Sequence, residues 1–185
     1  MPASVAIAVV TLLAVVAIML GETLLSAHNA RLLRARGGVE PPGDVYRTMQ
    51  WAYPACFIAM ACEGALTGPA PRDVIGAGLA VFGLAKALKL WAIASLGWRW
   101  TFRVIVPPEA PLVTRGPYRL LRHPNYLAVL GELAGVAAIV GAPWSGLVSL
   151  AGFGWLIRRR VAIEEAALGL RAHPPAPTVR HRDNL

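Results

Sequence analysis

The chain has 185 residues, 56% of them hydrophobic and only 15% charged, and it carries a net charge of +8. A soluble domain is about 45–50% apolar and ~25% charged, so an ordinary soluble globule is excluded, and the wealth of apolar residues excludes disorder. A basic soluble protein would suggest nucleic acid, but these basic residues gather in alternate polar segments between apolar runs, the pattern of membrane topology; no nucleic-acid partner is expected.

The first apolar run, 3–27, has no basic flank at its start and is long for a signal-peptide core, so it reads as an uncleaved transmembrane helix. A polar loop follows, with Arg31, Arg34, Arg36 and Arg47 around it, punctuated by Gly37-Gly38 and Pro41-Pro42-Gly43. Two further runs, 48–66 and 73–96, flank the turn Gly68-Pro69-Ala70-Pro71, and each is long enough to cross a ~30 Å hydrocarbon core. A polar stretch rich in Arg, Pro and aromatics occupies 97–126. Two shorter runs, 127–141 and 145–157, read as tilted helices paired in a hairpin. The chain then turns charged at Arg158-Arg159-Arg160, and the helical pattern of 158–170 gives way to a proline-bearing tail. Cys56 and Cys62 fall six residues apart in one run, too far apart on a helix for a disulfide, and they make no metal pattern; no metal is expected. The fold class is therefore an all-α integral membrane protein: a five-helix transmembrane bundle whose last two short helices form a hairpin, followed by a cytoplasmic C-terminal helix, in one domain over 1–185. The positive-inside rule puts the N-terminus outside and the three Arg-rich segments in the cytoplasm, as in a bacterial inner membrane.

Charged residues inside predicted spans are costly. Counted from the cytoplasmic ends, Glu22, Lys89 and Glu132 reach one common depth, roughly 8–10 Å inside. They read either as a structural ion-pair cluster or as the lining of a polar pocket open to the cytoplasm, with Lys86 nearby and Glu63 near the outer surface. Gly131 and Gly135 form a small-xxx-small pair, and Gly76, Gly78 and Gly83 punctuate the third run; close helix packing accounts for them.

The stretch from Leu112 to Tyr126, LVTRGPYRLLRHPNY, carries the chemistry. Pro124 suits the first turn of a helix, whose free N–H groups and dipole favour an anion at the cytoplasmic surface. Arg122 and His123 add donors there, and Tyr118 and Tyr126 add aromatic faces for an adenine or a cation. These features fit an anion or nucleotide site and equally an interfacial anchor. Farther on, Arg160 and Glu164 share one helix face at i and i+4, beside Glu165, on the same membrane side.

LVTRGPYRLLRHPNY, an apolar run and then RVAIEE at Arg160 to Glu165 together resemble the isoprenylcysteine carboxyl methyltransferases, and the upstream KLWAIASLGWRWTFRV resembles them too. The likeness covers roughly the second half of the chain. It implies an integral membrane methyltransferase using S-adenosyl-L-methionine. Leu112, Val113, Tyr118, His123, Pro124, Asn125, Tyr126 and Glu164 match positions that surround the cofactor, and Arg160 matches the position facing the methyl acceptor. The implied acceptor is a lipophilic small molecule or lipid-linked group, methylated on a carboxylate or hydroxyl in contact with membrane lipids. A carboxylate is ionised at pH 7 and needs no base; a phenol does, and Glu165 or His123 would supply it. The sequence departs from the family at Ala110, where a histidine is frequent, at Asn125, often small or Ser, and in the tail after Gly169. The alternative is an NADPH-dependent sterol- or enone-type reductase, which shares Arg-His-Pro-Asn-Tyr; its later Lys-Tyr-Gly run is missing from this chain.

Overall fold

A computed structural model describes residues 1–108 and 111–169. Expectations for Ala110 and for the tail from Leu170 onward lie outside the described residues. Among the described residues the fold is all-helical: α1 (Ala3–Ala35), α2 (Tyr46–Thr67), α3 (Arg72–Leu96), α4 (Pro124–Val140) and α5 (Pro143–Ala167), with 3-10 turns at Gly97–Arg99 and Gly116–Arg119. No strand forms among them; one antiparallel bridge joins Val39 to Val106.

The helix ends follow local chemistry. Pro124 and Pro143 open α4 and α5 in the first turn, where a missing N–H costs nothing. Gly141 closes α4 in the left-handed region at φ +72°, which glycine enters without strain. Two helices differ from expectation. α1 runs eight residues past the predicted end, to Ala35, because nothing breaks the helix before Gly37-Gly38. α5 is a single helix of 25 residues, so the short fifth span and the separate cytoplasmic helix become one element; no Gly or Pro stands between Ile157 and Ala167, and arginine is a good helix former.

By length and composition, two helices are long and apolar enough to cross a membrane, Ala3–Ala35 and Arg72–Arg99, while Pro124–Val140 is a shorter apolar helix. α2 carries Pro54 in its interior, and α5 carries three successive arginines.

α4 is the central element. It packs on α3, α5, α2 and α1, and nine of its 17 residues are buried. Its approach to α3 depends on glycine: a Cβ on Gly135 would stand 2.8 Å from the backbone N of Phe82, and one on Gly78 would stand 2.8 Å from the backbone N of Ile139. Gly131 faces Ala85, whereas Gly76 and Gly83 face open space. The apolar core lies between α1, α2, α4 and α5, built from Val15, Phe57, Met60, Leu133, Val136 and Phe153. The outer surface is more apolar than any soluble fold would tolerate: Leu24 is 73% exposed, Leu84 72% and Val148 72%. Lys89 and Glu132 are each 1% exposed. Together with its apolar helices, this inversion marks a membrane protein.

Candidate functional site

The polar segment between α3 and α4 is anchored on several sides. Asn29 of α1 donates from Nδ2 to the Trp100 carbonyl at 2.7 Å, and the Phe102 amide donates to Ser26 Oγ at 2.8 Å. The Val104 amide donates to Asp44 Oδ2 at 3.3 Å. Arg99 Nη1 donates to the Pro111 carbonyl at 2.8 Å, and Arg115 Nε to the Ser95 carbonyl at 3.0 Å. Gly116 is required where the segment turns back: its φ is +61°, and a Cβ there would meet Ser95 Oγ at 2.0 Å. That turn leads into the 3-10 helix carrying Tyr118.

Two cavities among the described residues border this segment. The first, about 330 Å³, is lined by Trp100, Leu112, Val113, Tyr118, Arg122, His123 and Glu164, among others. The second, about 270 Å³, runs among Met19, Met49, Tyr53, Val129 and Phe153 and includes Lys89 and Arg160. Thr101, Asn125 and Tyr126 line both, so the first turn of α4 is part of the wall between them.

A chain of polar contacts crosses that wall. His123 Nδ1 lies 3.9 Å from Glu164 Oε2, and His123 Nε2 lies 3.3 Å from Glu165 Oε1. The Tyr126 hydroxyl donates to Glu164 Oε2 at 2.7 Å and accepts from Arg160 Nε at 2.9 Å. Arg160 also donates to the Phe102 carbonyl and, from Nη1, to Asp44 Oδ1 at 3.2 Å. Its guanidinium is thereby fixed in place while 4% exposed. Trp100 Nε1 donates to Asn125 Oδ1 at 3.3 Å. Burial, reinforced by the Glu164 carboxylate, pushes the Tyr118 phenol well above the ordinary tyrosine range, so it stays a neutral donor at pH 7.

The residues singled out from sequence fall into place as follows. Leu112, Val113, Tyr118, His123 and Glu164 line the first cavity, Arg160 lines the second, and Asn125 and Tyr126 line both. Pro124 is buried at the start of α4, and Glu165 stands behind His123; neither lines these two cavities. Asp44 escaped sequence reasoning. The only available signal was an isolated acidic residue just before α2, where it also accepts from the Tyr46 amide at 3.1 Å. The second cavity's wall from α2 (Met49, Gln50, Tyr53, Pro54) was likewise missed, because nothing in an apolar run marks which face is hollow.

Glu22, Lys89 and Glu132 do meet. Lys89 Nζ lies 2.7 Å from Glu22 Oε2 and 3.2 Å from Glu132 Oε1. Lys86 Nζ lies 2.9 Å from both Glu22 Oε1 and Glu132 Oε2, and the Tyr53 hydroxyl donates to Glu132 Oε2 at 2.5 Å.

Comparison with known proteins bears on this arrangement. Residues 77–169 match the family model of the isoprenylcysteine carboxyl methyltransferase (ICMT) family, a family of membrane methyltransferases. The chain belongs to this family. It is 27% identical over 112 residues to the "Uncharacterized protein YpbQ" of Bacillus subtilis, covering 60% of this chain and 67% of that one. It is 24% identical over 160 residues to an "Uncharacterized protein" of Haemophilus influenzae, covering 86% of this chain and 93% of that one. No solved structure gives a significant match. The family match gives the reductase alternative no support.

Proposed function

We propose that this chain transfers a methyl group from S-adenosylmethionine to an oxygen, carboxylate or hydroxyl, of a lipophilic acceptor that partitions into the bilayer. The observation that carries this reading is the pair of cavities meeting at Thr101, Asn125 and Tyr126. The first is bordered by cationic, anionic and aromatic groups suited to a zwitterionic nucleoside. The second has an apolar wall suited to a lipid chain.

The residues present fit the cofactor. Leu112, Val113 and Tyr118 offer an apolar and aromatic surface for a purine. His123, Arg122 and the Asn125 amide in the first turn of α4 offer donors for a carboxylate; Pro124 has no N–H, and the Tyr126 and Leu127 amides already donate to the His123 carbonyl. Glu164 holds the polar end. When bound, S-adenosylmethionine supplies an electrophilic methyl group on a sulfonium. Arg160, already oriented by Asp44, Tyr126 and the Phe102 carbonyl, aligns the acceptor oxygen in the adjoining cavity, and orientation with exclusion of water supplies most of the rate. A carboxylate acceptor needs no base. For a hydroxyl acceptor a base is required, and the candidates are His123, which lines the first cavity and not the second, and Glu165, 3.3 Å from its Nε2.

In this reading the N-terminus is outside, and the α1–α2 loop, the segment 97–126 and the last turns of α5 are cytoplasmic. The Arg-aromatic stacks at that end support the orientation: Arg36 over Trp98 at 4.1 Å, Arg103 over Tyr46 at 4.6 Å and Arg159 over Trp155 at 5.1 Å. The direct test is calorimetric titration of detergent-purified protein with S-adenosylhomocysteine and, separately, with NADP. S-adenosylhomocysteine is expected to bind; binding of NADP alone overturns the proposal.

A further inference from the structure

The three buried charges Glu22, Lys89 and Glu132, with the half-buried Lys86, are more than is needed to tie α1, α3 and α4 together. Apolar side chains of similar volume would stabilise such a site as well or better, because each buried ion loses several kcal/mol of hydration. The two lysines are also not equivalent. Lys86 is 15% exposed at its side chain, reaches both carboxylates, and does not line the second cavity. Lys89 is 1% exposed and does line it.

An ammonium has three N–H donors. Lys89 Nζ donates to Glu22 Oε2 and Glu132 Oε2 and also lies 3.2 Å from Glu132 Oε1, a buried oxygen that accepts no hydrogen bond. Two of its donors are thus in hydrogen bonds, and Lys89 lines a cavity whose surface is largely apolar. Tyr53, whose ring lies 5.7 Å from Lys89 Nζ, lines the same wall. Glu132 follows Tyr126 by six residues on α4, which is about 9 Å of helix rise. The second cavity therefore has two cationic groups in its lining, Arg160 beside Tyr126 and Lys89 farther along α4, with Met49, Val129 and Phe153 among the apolar residues that complete it.

We propose that Lys89 is a specificity-determining residue that hydrogen-bonds a second oxygen function of the acceptor, several ångströms from the oxygen that is methylated. The acceptor is then a lipophilic molecule whose head bears two oxygen functions, with its tail leaving through the apolar outer surface. This inference rests on the reading of the second cavity as the acceptor site.

The test uses full-length protein in detergent, loaded with S-adenosylhomocysteine, and two matched probe pairs. One pair is dodecyl 4-hydroxybenzoate against 4-dodecylphenol; the other is 4-oxohexadecanoate against hexadecanoate. In at least one pair the member with two oxygen functions is expected to bind about tenfold or more tightly, as befits a hydrogen bond to a charged group. The double variant Lys89→Met with Glu22→Gln preserves the charge balance and should abolish that preference. The double variant Lys86→Met with Glu22→Gln perturbs the same cluster but keeps Lys89, and should retain the preference; a purely structural role would make the two variants behave alike. Equal affinities within both pairs, binding of none of the four probes, or a preference that survives loss of Lys89 overturns the proposal. Failure of S-adenosylhomocysteine to bind the wild-type chain instead overturns the methyltransferase reading, so the two failures are distinguishable.

Discussion

Tyr126 carries more of the proposed site than any other single residue. Its hydroxyl accepts from Arg160 and donates to Glu164, joining the groups assigned to acceptor and cofactor. Removing Glu164 takes away a carboxylate and leaves the Tyr126 hydroxyl with only its hydrogen bond from Arg160. Glu164→Ala is therefore expected to weaken S-adenosylhomocysteine binding about tenfold or more in calorimetry, the scale of a lost charged hydrogen bond. Arg160→Ala acts on the other side of the wall. It should leave S-adenosylhomocysteine affinity unchanged while turnover of an anionic acceptor falls, measured with a labelled methyl donor. A parallel loss of cofactor affinity would mean that Arg160 belongs to the first cavity. Of these groups, Arg160, Glu164 and the run from His123 to Tyr126 were singled out in sequence through the family resemblance, since their spacing alone fits an anion site and an interfacial anchor equally. Asp44 was not, since an ion pair across more than a hundred residues leaves no local trace.

At the scale of elements, α3 and α4 pack closely only because small residues face each other. Gly135→Leu would drive a side chain into the Phe82 backbone and is expected to destabilise the protein by ~1–3 kcal/mol or more, seen as a lowered thermal midpoint in detergent. Gly76→Leu faces open space and should leave the midpoint nearly unchanged; equal effects would contradict this packing. The α1–α2 loop has a different anchor. Partial burial opposes ionisation of Glu40, but hydrogen bonds and charges from Arg34 and Arg103 overcome it and hold its carboxyl below the usual range. A depressed folded-state pKa contributes stability above the unfolded value of about 4.3, and that stability is lost as pH falls through the folded pKa. Glu40→Gln should thus lower stability slightly at pH 7, since these side chains are partly exposed, and the difference from wild type should vanish in melts taken well below pH 4. The glycine spacing of α4 announced tight packing in the sequence, but not which helix would be its partner. The length of α5 was misjudged because apolar content was taken as the measure of a helix, although the arginines after Ile157 continue it without a break.

For the whole molecule, orientation is the decisive property. With Cys56 and Cys62 replaced, a cysteine introduced at Pro42 is expected to react with an impermeant maleimide only from the cytoplasmic side, and one at Pro69 only from the opposite side. Labelling of both from one side would break the proposed topology. The sequence by itself determined that the chain is helical and that its surroundings are apolar, because these follow from composition and from runs of neighbouring residues. It also indicated that Glu22, Lys89 and Glu132 share one depth, because rise along a helix is a matter of counting. Only the tertiary structure decided which faces of these helices meet. It turned leucines outward and carboxylates inward, drew Lys86 and Tyr53 into the buried cluster, and opened two cavities on either side of Asn125 and Tyr126. The physical reason is that a helix that is apolar all round carries no instruction about its own rotation. That rotation is set by the few costly groups, a cluster of charges and a handful of glycines, that must find one another.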